Sequence, residues 1–456
     1  MRNEGITLKQ AAAWCGGRVA PQFENVCFSG ANFDTRNLRQ GELFVAIVGA
    51  RDGHDYVKNA LDAGAAAVLA SRPLDETIPA IYVGNTVAAL QAIARNYRNT
   101  LPIKAIGITG SVGKTTTKEM IAAVLQTTYA TQKTAKNFNN DIGVPISVLS
   151  ISPAHEAAVL EMGMNHFGEI SLLTSIAQPD IAVITNVGRM HIENLGSEEG
   201  ILQAKLEILE GLKPDGTAIF CGDIPRLYDA AKKHHALTFG RKEENDIRAV
   251  DVCAEEKRIR FTALAFGQKI PIHLPVAGEH NVLNALAAVA VGLKCGVSAE
   301  NIAAGLADFK NTGMRQNSYD LGDYHIIADC YNAGPESMRA ALKVLSAAKG
   351  RKIAIFGGML ELGDFAPKEH YEVGREAAKV VDALFAYGKN SEQYVFGAKA
   401  DGLVQAECFE THEALTDALK KTLQPGDTLL VKGSRGMKME RVLQLLDTDD
   451  GRVHHG

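Results

Sequence analysis

At 456 residues the chain is longer than one hydrophobic core usually supports, so roughly two to four domains are expected. Its 48 Lys and Arg against 53 Asp and Glu leave a net charge of −5, which gives no broad electrostatic ground for nucleic acid or an anionic membrane as partner. No apolar run reaches the ~18 residues of a membrane span, no apolar leader follows Met1, and seven scattered cysteines form no C-x-x-C pair, so the expectation is a cytoplasmic, small-molecule protein with reduced thiols.

The first strand-like run is L-F-V-A-I-V at 43–48, followed by a helical pattern from near His54 and a second run at 66–70. Asn85 is placed to cap a helix that carries Val87, Leu90, Ile93 and Ala94 on one side, and the polar N-T-L-P at 99–102 marks a domain boundary. Beyond it, runs at 103–109, 157–162, 181–187 and 217–221 alternate with helical segments, which predicts a doubly wound parallel sheet covered on both faces. Residues 248–276 alternate instead, as short antiparallel strands do, and two helices follow them. A polar break at 311–322 precedes H-I-I-A-D-C and further runs at 353–356, 383–386 and 428–431, a second α/β series. The fold class is therefore α/β in three domains, at 1–98, 99–312 and 313–456, with a P-loop ATPase sheet in the centre and a Rossmann-like C-terminal unit. The terminal G-R-V-H-H-G is left out of this reading.

The strongest local signal is I-G-I-T-G-S-V-G-K-T-T-T-K at 106–118, set between a predicted strand and a predicted helix. Small residues allow backbone amides to close around phosphate oxygens, the helix start adds positive potential, Lys114 can reach the β and γ phosphates, and Thr115 can ligate magnesium. Thr109, Gly110, Ser111, Val112, Gly113 and Thr116 complete the expected ATP cradle, although the general G-x-x-x-x-G-K-T pattern would require glycine where this chain has Ile108. Glu161, at the carboxyl end of a strand, can hold magnesium. His191 lies in a loop at a comparable sheet edge, Lys205 lies within a helix, and Asn281 and Asn284 share one helix face, where they could meet an adenine edge or simply cap the helix. Arg315 sits at the predicted junction and could bring positive charge to the phosphates, while Asp329 ends a strand and could bond a ribose hydroxyl.

The T-G-x-x-G-K-T-T loop, A-V-L-E-M-G-M-N-H, G-R-M-H-I-E-N, the Asn-x-x-Asn pair and D-C-Y-N-A-G-P together resemble the Mur ligases, a resemblance running from Phe33 to Val442. Cys330 and Gly334 stand where that family usually has serine and asparagine, which leaves those two roles open. The resemblance implies ATP and two magnesium ions, with Thr115, Glu161, His191 and a carbamylated Lys205 as metal ligands. It also implies Lys114, Lys205, His191 and Arg315 as catalytic residues and places the base at Asn281 and Asn284. The stretch 33–56 is similar to the family's uridine-nucleotide domain, which implicates Thr35, Arg36, Asp52, Gly53 and His54 in substrate binding, with Asn139 and Asn140 on the nucleotide sugar and Tyr331 and Asn332 further along. Segments 357–364 and 431–442 resemble the branch that adds D-alanyl-D-alanine to a UDP-N-acetylmuramoyl-tripeptide through an acyl phosphate, for peptidoglycan synthesis, with the C-terminal domain taking the dipeptide. The alternatives are the tripeptide-forming Mur ligase, whose D-N-P-R segment is missing here, and a P-loop ATP switch, which would need neither Glu161 nor the N-terminal segment. A monomer is the default.

Overall fold

The computed structural model describes residues 5–255, 258–310 and 317–447. Among the described residues three larger sheets follow one another along the chain, with a two-stranded antiparallel pair, Ile6–Thr7 and Cys27–Phe28, beside the first. The first has five short strands, running across the sheet as Arg18–Val19, Ala80–Tyr82, Ala67–Ala70, Leu43–Val45 and Ala31–Asn32, and only the Arg18–Val19 edge is antiparallel. Asn85 caps the helix Thr86–Thr100 as expected, its Oδ1 accepting from the Val87 and Ala88 amides at 2.9 and 3.0 Å. That helix runs through Thr100, so a break after residue 98 falls in its last turn. Arg98 is the reason the turn persists. Its guanidinium is 2 % exposed and donates to the carbonyls of Ala177, Leu101 and Gln178 at 2.8, 3.1 and 3.1 Å, with Asp180 at 3.3 Å. A charge buried this deeply is tolerable only with such satisfaction, and it fastens the first unit to the second.

The second sheet has nine strands, ordered Gln268–Leu274, Ile259–Ala265, Ile247–Ala254, Leu237–Gly240, Thr217–Cys221, Ile181–Ile184, Lys104–Thr109, Ala157–Glu161 and Thr131–Lys133. Its central strands are buried apolar runs, as a parallel sheet covered on both faces requires. The expected antiparallel strands exist, but they continue the edge of this sheet through Ile247–Ala254 instead of standing apart from it. Chain connections leave Lys104–Thr109 in one direction and Ile181–Ile184 in the other. The crevice between these neighbours is a topological switch point, where open α/β sheets take ligands.

The third sheet is ordered Asn317–Leu321, Tyr324–Asp329, Thr428–Lys432, Lys352–Gly357, Ala383–Tyr387 and Ala406–Phe409, parallel except for its first strand. The 312/313 boundary and Arg315 lie outside the described residues.

Candidate active site

The phosphate loop forms at the switch point, between the strand Lys104–Thr109 and the helix Lys114–Gln126. Gly113 holds φ +84°, a left-handed conformation that favours glycine. Gly110 is needed for space, because a Cβ there would lie 1.9 Å from Thr185 Oγ1. The neighbouring strand end braces the loop: Asn186 Oδ1 accepts from the Val112 amide at 2.8 Å, and the Gly188 amide donates to Ser111 Oγ at 3.0 Å. Lys114 Nζ donates to the carbonyl of Gly110 at 2.7 Å. Thr109 is fully buried at the end of the strand beneath the loop and does not line the site's cavity.

Thr115 Oγ1 donates to Glu161 Oε2 at 2.9 Å, and Asn139 Nδ2 donates to Glu161 Oε1 at 2.9 Å. Asn139, expected on the sugar nucleotide, therefore orients the glutamate. Asn140 Oδ1 accepts from the Gly143 amide at 2.8 Å. Lys118, buried below, donates to the Thr134 carbonyl at 2.8 Å and stands 4.0 Å from Glu161. Among the described residues no three His, Cys, Asp or Glu side chains converge on one point. Thr115 and Glu161 nevertheless form an oxygen pair of the kind magnesium accepts, with waters and phosphate oxygens completing its shell. Removing the support of Glu161 should show this directly: Asn139→Ala is expected to raise the magnesium needed for half-maximal activity by roughly 10- to 100-fold, read from a metal titration.

Lys205 is 1 % exposed, and its ammonium is held well below the usual lysine range by burial and then by Lys114. No carboxylate pairs with it among the described residues. His191 adopts φ +64° and sets Nδ1 2.5 Å from Glu361 Oε2, a residue at φ +64° in the third unit. The imidazole in turn holds the Glu361 carboxyl below its ordinary value. Strained backbone on both sides of one contact is characteristic of functional loops. His370 fixes the Glu361 loop from behind, its Nε2 accepting from the Met359 amide at 2.9 Å and Nδ1 donating to the Ala366 carbonyl at 2.7 Å. Burial depresses its pKa, which keeps the ring neutral in that tautomer.

One cavity of about 660 Å3 collects these groups. Ser111, Val112, Gly113, Lys114, Thr116, Asn139, Asn140, Glu161, His191, Asn284, Asp329, Tyr331 and Asn332 all line it, so loops of the second and third units share a single space. At one end Cys221, Ile224, Leu283 and His280 form a largely apolar wall beside Asn284. Burial pushes the Cys221 thiol up to about 12, so it acts as an apolar group there.

Three expectations change in the structure. Asn281 is buried with Nδ2 on the Ala277 carbonyl at 2.7 Å and Oδ1 on Asn284 Nδ2 at 3.0 Å, so it clasps the helix entry while Asn284 alone faces the cavity. Asp329 Oδ2 is engaged by Lys432 Nζ at 2.7 Å, which makes it the counter-ion of a buried lysine before it can serve a ribose. Thr35, Arg36, Asp52, Gly53 and His54 do not line the cavity. Arg36 pairs with Asp34 at 2.7 Å, and His54 is locked between Asp52 Oδ1 at 2.6 Å and the Ser71 amide at 3.0 Å.

The Mur ligase middle domain family matches residues 108–292, and the Mur ligase glutamate ligase domain family matches residues 314–435. A Bacillus subtilis protein named UDP-N-acetylmuramoyl-tripeptide–D-alanyl-D-alanine ligase is 42 % identical over 449 residues, spanning 96 % of this chain and 97 % of that protein. The chain belongs to the Mur ligase family. An Escherichia coli relative of the same name is 36 % identical over 97 % of the chain and 98 % of its own length. Among solved structures, MurF from Acinetobacter baumannii matches this Mur ligase with a TM-score of 0.89 at 33 % identity, covering 98 % of this chain and all of that one. MurF from Thermotoga maritima in complex with ADP matches at 0.80 and 30 % identity, over 93 % of this chain and 99 % of the other. The family membership makes the protein an ATP-dependent ligase.

Several residues of this Mur ligase escaped the reading of its sequence. Lys432 ends a parallel strand beside Asp329, the same sheet-edge signal that singled out Glu161, and could have been found by it. Glu361 lies in the resembling segment 357–364 without an assigned role, and Asn186 and His370 carry no pattern that marks them. Arg189 likewise draws together Glu198 at 2.9 Å, the Glu336 carboxylate through its backbone amide at 3.0 Å, and Glu369, bridging the second and third units.

Proposed function

We propose that this Mur ligase joins the amine of D-alanyl-D-alanine to the terminal carboxylate of UDP-N-acetylmuramoyl-tripeptide in the cytoplasm, working as a monomer with ATP and two magnesium ions. The observation that carries this is the shared cavity: the phosphate loop, the Glu161 carboxylate and the loops of the third unit open on one space. The names of its relatives in Bacillus subtilis and Escherichia coli support the same reaction. No described helix is long and apolar enough to cross a membrane.

A carboxylate and an amine at neutral pH form only ions, so the acyl carbon needs a leaving group, and ATP supplies it as phosphate. A carboxylate oxygen attacks the γ phosphorus as the bond to the bridging oxygen of ADP breaks; the amine nitrogen then attacks the acyl carbon, loses a proton, and phosphate departs with that oxygen. Lys114 leaves its loop carbonyls to meet the charge developing on the transferring group. Thr115 and Glu161 would hold one magnesium, which spreads that charge. Asn284 and the apolar wall around Leu283 receive the base. Lys432, kept in place by Asp329, adds an ammonium to the lining of the cavity. The uridine end of the precursor falls to the first unit, 1–98 extended through Thr100, which carries Thr35, Arg36 and the Asp52–His54 turn.

For a second ion His191 offers an imidazole, while Lys205 as an amine is a poor magnesium ligand and becomes an oxygen donor only as a carbamate. A neutral amine is the nucleophile that adds to the carbon of carbon dioxide, losing a proton as the carbamate forms, and the burial of Lys205 beside Lys114 favours that neutral form. Two outcomes follow. Protein equilibrated with 13C-bicarbonate gains a carbamate carbon signal that Lys205→Met lacks. In carbon dioxide-free buffer the unfolded state binds a proton on Lys205 up to its ordinary pKa of ~10.4, whereas the folded state does not, so stability rises with pH through that window and the variant flattens the rise.

The deciding experiment follows phosphate release from ATP with the UDP-tripeptide, with and without the dipeptide, and weighs the product. Release requiring both, with a product equal to their sum less water, supports the assignment. Acceptance of a single diamino acid would move the chain to the tripeptide-forming branch, and release indifferent to both substrates would favour a switch.

A further inference from the structure

We propose that Arg435 binds the free carboxylate of the incoming dipeptide, in a small recess that serves as the acceptor subsite; the inference rests on the function proposed above. The recess measures about 120 Å3 and lies against the main cavity. Met190, His191, Asn332 and Glu361 line both spaces, so the two adjoin along that shared wall. Ser434, Arg435 and Gly436, with Ala333 and Leu360, line the recess and not the main cavity that holds the phosphate loop.

This polarity matches the chemistry of the acceptor. Only the amine reacts, so the amine must lie at the shared wall, where the Glu361 carboxylate can attract an ammonium before the proton is lost. The carboxylate then lies against the part of the lining that the main cavity does not share, where Arg435 supplies a guanidinium. Its guanidinium spends Nη1 on Glu440 at 2.8 Å, at a half-exposed position, and carries five N–H donors in all. A planar fork of this kind suits a carboxylate. Ala333 and Leu360 add apolar surface to the same lining, fit for methyl groups. Gly436 keeps the space open, because a Cβ there would come within 3.0 Å of Leu360 Cδ1. At about 10–15 Å3 per water-sized group the recess holds roughly ten such groups, close to the ~11 non-hydrogen atoms of an alanyl dipeptide.

The floor is well fixed, as a specificity site needs to be. Ser434 Oγ accepts from the Leu360 amide at 2.9 Å and donates to the Ala333 carbonyl at 3.2 Å, tying the two walls together.

The test compares the dipeptide with its C-terminal amide on the full-length enzyme. Arg435→Gln is expected to raise KM for D-alanyl-D-alanine by roughly 10- to 100-fold, with KM for ATP and for the UDP-tripeptide unchanged. Wild type should discriminate against D-alanyl-D-alaninamide by a similar factor, and the variant should treat the two alike. Glu440→Gln removes only the outer partner of Arg435 and should stay near wild type. Continued discrimination by Arg435→Gln, or the same KM rise in Glu440→Gln, overturns the subsite. Failure of the wild type to join the dipeptide at all overturns the reaction itself, and the subsite with it.

Discussion

Lys114→Ala is expected to lower kcat by roughly 10²- to 10³-fold while leaving the fold intact. In the structure the ammonium is held by the carbonyls of Gly110 and Ser111, at 2.7 and 3.4 Å, inside a loop whose shape depends on Asn186 and Thr185 and not on the lysine. Its removal therefore deletes a charge without collapsing the cradle. The backbone amides and the helix start persist, so ATP still binds and the loss falls on phosphoryl transfer. Lys205, buried nearby, cannot substitute, because its own ammonium is disfavoured by burial and by Lys114. Rapid-quench measurement of acyl phosphate formation, with circular dichroism as control, reads the effect. A fall of less than about tenfold would mean that the amides carry the transferring charge unaided.

The second large effect concerns stability. Asp329→Ala should cost about 3–5 kcal/mol, because it strands the Lys432 ammonium, 2 % exposed, without its counter-ion. One bond survives, from Nζ to the Asn332 carbonyl at 2.9 Å, and a single carbonyl does not neutralise a buried charge. Against a domain stability of ~5–15 kcal/mol this removes from about a fifth to all of the third unit's margin. Replacing both partners by apolar groups, Asp329→Leu with Lys432→Met, should recover much of the loss in urea titrations, since what destabilises is the unpaired charge. If the single variant proved as stable as wild type, Lys432 would have another partner, and its place at the cavity would need a different account.

Both experiments turn on residues with different visibility in the sequence. Lys114 and Thr115 stand in a motif whose spacing is dictated by one turn of backbone, so strand, loop and helix are all legible locally. Glu161 and Asp329 were legible because a parallel strand delivers its last residue to a sheet edge. Asn281 and Asn284 show the limit of that logic: equal spacing put both on one helix face, yet Asn281 turns to the Ala277 carbonyl and only Asn284 faces the cavity. Periodicity assigns a face but not the partner an amide will choose. The Asp52–His54 turn shows a similar limit, since the ring of His54 is satisfied by Asp52 and Ser71 within its own unit. Glu361 was given no role because its partner His191 belongs to another unit, and His370 because no spacing marks a histidine that braces a loop through the Met359 amide and the Ala366 carbonyl. The antiparallel strands of 248–276 were legible from their alternation, but their continuation of the central sheet through Ile247–Ala254 was hidden, because alternation marks a half-exposed strand and not the neighbour it pairs with.

The burial of Arg98 bears on how a long substrate is measured. By fastening the helix Thr86–Thr100 to the carbonyls of Ala177 and Gln178, it sets the first unit at a fixed separation from the phosphate loop. On the function proposed, a precursor gripped at its uridine end is then compared with a ruler: each residue of stem peptide spans at most about 3.3–3.6 Å, so a stem one residue short leaves its carboxylate that far from the γ phosphate. That shortfall is as large as the ~3–3.5 Å separation of reacting atoms itself. Length alone would then exclude immature precursors, even where every chemical group they carry is the right one.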